Sequence, residues 1–89
     1  MVYSILFYIR SNVAKLNKAF ALRIREILKE KKMTQYKLAQ ETNLYHSTMT
    51  DILNCKYKTS NFRNMALIIK ALNMPMTDFF DSDLFNFEN

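Results

Sequence analysis

Glycine is absent from this 89-residue chain, which excludes glycine-rich phosphate loops and the tight hairpins whose turns need glycine at positive φ. A nucleotide-binding enzyme of those kinds is therefore ruled out. One cysteine cannot close an internal disulfide, and one histidine cannot build a zinc site of ordinary spacing. Tryptophan is missing and proline occurs once. No paired-carboxylate, Ser/His/Asp or Cys/His arrangement has a third member, so no enzyme, no cofactor and no metal is expected. With neither staple available, stability has to come from packed apolar side chains, in a compartment that can be reducing, which points to the cytoplasm.

What is present is the balance of one small globular domain: 49% apolar and 24% charged residues. The net charge is +5, but its placement says more. Residues 1–77 hold all 13 Lys and Arg against four acids, Glu26, Glu30, Glu41 and Asp51, an excess of nine positive charges. Residues 78–89 hold four acids and no base. A basic body of this kind suits a polyanion, with nucleic acid the first candidate.

Val2 to Ile9 is almost wholly apolar, yet eight residues fall far short of the roughly 20 that cross a bilayer, and no membrane partner is expected. It also lacks the basic flank and small-residue cleavage site of a signal peptide, since the first base, Arg10, follows the run. Its β-branched and aromatic content suits a short strand, or equally the first turns of a buried helix. Residues 1–15 are thus read as an apolar extension, 16–81 as the domain, and 82–89 as an acidic, Phe-containing tail.

Helical periodicity begins at Leu16. Leu16, Phe20, Ile24, Ile27 and Leu28 recur at steps of three and four, predicting an amphipathic first helix that ends near Lys32. Thr34 is the expected N-cap of a second helix, with Leu38 and Ala39 facing inward. Asn43 should end it, because Asn tolerates the left-handed conformation found at helix C-termini. After a turn over residues 42–44, a third helix runs from about Tyr45 to Leu53, with Met49, Ile52 and Leu53 inward and Asn54 ending it in the same way. A fourth begins near Asn61, buries Met65, Ile68, Ile69 and Leu72, and ends at Asn73. Pro75 opens a short fifth helix whose Phe79 and Phe80 would close the core.

Helices two and three, of about eight and nine residues across a short turn, have the spacing that holds a second helix clear of the body for entry into a DNA major groove. His46, Ser47, Thr50, Asp51 and Asn54 share the outer face of helix three. A merely solvated face would carry Lys and Glu. This one is short, hydrogen-bonding and nearly uncharged, as the reading of base edges requires.

The stretch LRIREILKEKKMTQYKLAQETNLYHSTMTDILNCKYKTSNFRNMALIIKALNMPMTDFF, residues 22–80, resembles the phage-repressor-like, Cro or XRE-type helix-turn-helix proteins of bacteria and their mobile elements. The motifs that carry the likeness are MTQYKLA, STMTDIL and LIIKALNM. The resemblance implies an all-α, five-helix, lambda-repressor-like domain that binds double-stranded DNA, usually as a dimer on a palindromic operator. It implies that His46, Ser47 and Asp51 meet base edges and that Thr50 touches a base methyl group or the backbone. Gln35 would bond a phosphate, and Asn54, Lys56, Tyr57 and Lys58 would grip the phosphate backbone, where the local lysines independently favour such contacts. The chain departs from the family at three places: Asn43 stands where Gly is usual, Tyr45 where the helix-three N-cap is usually Ser or Thr, and Leu28 and Leu53 where many members carry a buried Arg–Glu pair.

The two ends lie outside this resemblance. Val2, Ile5, Phe7 and Ile9, with Leu84, Phe85 and Phe87, exceed what so small a core needs and are expected to form the contact of a homodimer. The alternative for the N-terminal run is packing on its own first helix. The resulting expectation is a homodimeric transcriptional repressor. The other reading is an antitoxin-like module that binds a partner protein as well as its own promoter.

Overall fold

The computed structural model describes the backbone of residues 2–56 and 61–86, and the side chains of 14–56 and 61–86. Five α-helices account for it: α1 Val2–Lys31, α2 Gln35–Thr42, α3 His46–Leu53, α4 Phe62–Ala71 and α5 Met76–Phe80, followed by a 3₁₀ turn at Asp83–Phe85. No strand occurs among the described residues. Of the two conformations open to Val2–Ile9, the helix is the one observed. With no glycine or proline before Pro75, nothing interrupts the helical period of α1. Its 30 residues span about 45 Å at about 1.5 Å each, which matches the longest dimension of the molecule, 45 Å.

The core is one cluster with a contribution from every helix: Phe20, Ile24, Ile27 and Leu28 of α1, Leu38 and Ala39 of α2, Met49 and Leu53 of α3, Met65, Ile68 and Ile69 of α4, and Phe79 of α5. Leu72, just past α4, completes it. The period places Leu16 inward, but it is 39% exposed, and among the described side chains of α1 the first buried one is Ala19. Ile52 is only partly buried at the cluster's edge. Phe79 is completely buried, with Phe20, Phe80 and Phe85 around it at ring-centroid distances of 5.2, 5.0 and 6.1 Å, within the range of favourable aromatic pairs.

All four long helices end without glycine, on residues in the left-handed region: Lys32 at φ 53°, Asn43 at 59°, Cys55 at 55° and Asn73 at 57°. Asn43 and Asn73 behave as expected. Asn54 does not: its φ is −96°, and the left-handed residue is the next one, Cys55. The reason is the hydrogen-bond closure, in which Cys55 N–H donates to the Ile52 carbonyl (3.1 Å) and Lys56 N–H to that of Asp51 (2.9 Å). This paired closure is the Schellman pattern, and it requires the turn one residue beyond Asn54. α1 ends alike, with Lys32 N–H bonding Lys29 O (3.3 Å) and Met33 N–H bonding Leu28 O (2.9 Å).

Two arginines on α1 hold the ends of other helices. Arg23 donates from Nε to the Phe79 carbonyl (2.7 Å) and from Nη2 to that of Asp78 (2.9 Å), and it pairs with Glu26. Arg25 Nη2 donates to the Leu53 carbonyl (3.2 Å) and to Asn54 Oδ1 (3.1 Å). Both guanidinium groups thus sit at helix C-termini, where carbonyls lack helical partners and the dipole favours positive charge. Leu28 and Leu53 are both buried in the core. The polar link from α1 to the end of α3 is made by Arg25.

Candidate nucleic-acid interface

The candidate interface comprises the first turn of α2 and the outer face of α3. Thr34 takes an extended conformation and its hydroxyl accepts from Lys37 N–H (3.0 Å), so α2 starts at Gln35. Thr42 was expected in the turn. It is instead the buried last residue of α2, donating to the Ala39 carbonyl (2.9 Å) and accepting from Leu44 N–H (3.3 Å). That hydroxyl ties the turn to α2, leaving Asn43, Leu44 and Tyr45 to connect the helices. Tyr45 takes the extended N-cap conformation without a side-chain cap, and is 82% exposed.

His46 and Ser47 stand exposed in the first turn of α3. Thr50 and Asp51 are half-buried one turn on. Thr50 Oγ1 is already engaged: it accepts from Gln35 Nε2 (2.7 Å) and donates to the His46 carbonyl (3.0 Å). Its one proton is used, so it can offer a ligand its methyl group or a lone pair, but no donor. Gln35 Nε2 keeps a second N–H beyond the one given to Thr50. Asn54 and Lys56 are exposed past the end of α3, and Lys56 Nζ lies 3.9 Å from Asp51 Oδ1. Tyr57 and Lys58 lie outside the described residues.

The structure therefore places Gln35 on α2, His46, Ser47, Thr50 and Asp51 on α3, and Asn54 and Lys56 in the turn that follows α3. Two further residues contact α3, and neither was legible in the sequence as doing so. Arg25 anchors the far end of α3, and Tyr36 lies against His46 with ring centroids 5.8 Å apart. The only signal for Tyr36 was an aromatic residue outside the inward stripe of its helix.

The residues assigned to a homodimer contact fall elsewhere. Val2, Ile5, Phe7 and Ile9 belong to α1, but their side chains, like residue Phe87, lie outside the description. Leu84 is half-buried. Phe85 is also half-buried, against its own chain's Phe80 (4.9 Å) and Phe79, leaving only part of its ring for a second copy.

Five helices, with an exposed, hydrogen-bonding α3 presented across a three-residue turn from α2, define a helix-turn-helix DNA-binding domain. Comparison with protein families agrees: the Cro/C1-type HTH DNA-binding domain matches residues 23–83. The chain belongs to that family, whose domain is a DNA-binding regulatory one. No curated protein and no solved structure matched the chain. Among the described residues, no helix is long and apolar enough to cross a membrane.

Proposed function

We propose that the chain is a sequence-specific transcriptional repressor that binds a palindromic operator as a homodimer, with α3 in the major groove. The observation that carries this reading is the first turn of α3, where His46 and Ser47 are exposed beside the Gln35–Thr50 bond. Such side chains discriminate bases by donor and acceptor pattern, whereas Lys56, Asn54 and the second N–H of Gln35 suit phosphates, which fix register without reading sequence. Asp51 accepts from a cytosine amino group in this arrangement. Tyr57 and Lys58 extend the phosphate contacts.

Homodimerisation draws on the apolar run at the start of α1, with the C-terminal Leu84, Phe85 and Phe87 as its second element. Two-fold pairing sets two recognition helices about 34 Å apart, one turn of DNA. Selection of bound sequences from random duplex DNA tests the proposal. Two inverted half-sites with centres about 10 base pairs apart are expected. A single unpaired site would remove the dimer, and no enrichment at all would remove sequence-specific binding.

A further inference from the structure

Tyr36 has no evident task in the fold. The buried residues of α2 are Leu38, Ala39 and Thr42, while Tyr36 is 60% exposed, so the core does not account for it. Its ring lies against the imidazole of His46, 5.8 Å between centroids and tilted by 46°. That geometry falls within the range in which aromatic rings attract one another through their quadrupoles. The neighbouring residue makes the parallel contact one turn further along α3, with Gln35 Nε2 bonded to Thr50 Oγ1, which in turn bonds the His46 carbonyl. The His46 carbonyl is thus bonded by Thr50 of its own helix and its ring lies against Tyr36, and the first turn of α2 supplies both Tyr36 and the Gln35 that bonds Thr50.

We infer that Tyr36 is a positioning residue for base reading, and that it orders the His46 imidazole before DNA arrives. This inference rests on the proposal that α3 reads bases. An exposed histidine without such a neighbour samples several rotamers, and freezing one on binding costs affinity; a ring already packed has met that cost in the free protein. Because a rotamer selected in advance favours the base pairs it suits, Tyr36 sharpens the preference at the positions His46 reads without touching them.

The test joins sequence selection to an NMR readout on the full chain. In the free protein, the imidazole protons of His46 should show a ring-current shift that Tyr36→Ala abolishes and Tyr36→Phe retains. In parallel selections from random duplex DNA, Tyr36→Ala should relax preference by about two- to tenfold at the same base pairs as His46→Ala, leaving the others unchanged. Tyr36→Phe should keep the parental profile, and the double variant should be no worse than His46→Ala alone. Affinity for unrelated DNA and the melting temperature should stay at the parental values, which a merely structural role would not allow. An unchanged profile in Tyr36→Ala, additive losses in the double variant, or a Tyr36→Phe profile like that of Tyr36→Ala would overturn the inference while leaving base reading by α3 intact. A parent that enriches no sequence would overturn both.

Discussion

Lys56 offers the sharpest test of the phosphate side of the interface. Its ammonium is exposed past the end of α3, and the only ion pair it makes among the described residues is at 3.9 Å, to Asp51. A pair so long and so open to water contributes little, so releasing it to bind a phosphate costs little. Each neutralised phosphate releases counterions and adds about 0.9 to the slope of log affinity against log salt. Between 50 and 200 mM salt, one such contact therefore accounts for about a 3.5-fold loss of affinity, and the two contacts of a dimer for about 12-fold. Lys56→Ala should flatten the salt dependence by that factor on the preferred site and on unrelated DNA alike. Fluorescence anisotropy of labelled duplexes across that salt range measures it. Gln35→Ala supplies the contrast, because a neutral amide lowers affinity without changing the slope. An Lys56→Ala protein with the parental slope would refute the assignment.

The left-handed helix ends yield a stability prediction. A non-glycine residue at positive φ costs about 1–2 kcal/mol, partly offset on replacement by glycine's greater freedom in the unfolded chain. Lys32→Gly, at an exposed position, should stabilise by about 0.5–1 kcal/mol and raise the melting temperature by a few degrees, read by circular dichroism. A lower melting temperature would show that Lys32 bears no strain. For the dimer, removing residues 1–12 should weaken self-association in sedimentation and lower operator affinity in step; truncated chains that associate as strongly as the parent would exclude the N-terminal run from the contact.

Much of this architecture was legible because apolar spacing and capping chemistry are local. Thr34 caps α2 and Asn61 caps α4 through its side-chain oxygen, and the inward residues of α2 and α4 fall where the 3.6-residue period places them. What could not be read depends on partners distant in sequence. Leu16 keeps the period of α1, but burial needs something packed over it, and Leu16 stays 39% exposed while Ala19, Phe20 and Ala21 are buried. Asn54 has the composition of a left-handed cap. The carbonyls closing the turn select Cys55 instead, and the Asn54 side chain bonds Arg25, 29 residues away. The same holds at the interface. His46 and Ser47 were visible as a polar face on one helix, whereas the Tyr36–His46 and Gln35–Thr50 contacts depend on how α2 crosses α3, a relation that no periodicity within either helix records.

Whether the outer face of α3 meets DNA is decided by amide chemical shifts measured as a selected duplex is added to the labelled protein. The largest changes should fall on Gln35, on His46 through Asp51, and on Asn54 and Lys56, with the far face of α1 around Glu30 unmoved. Changes concentrated on other elements, with the signals of α3 unperturbed at saturation, would contradict it.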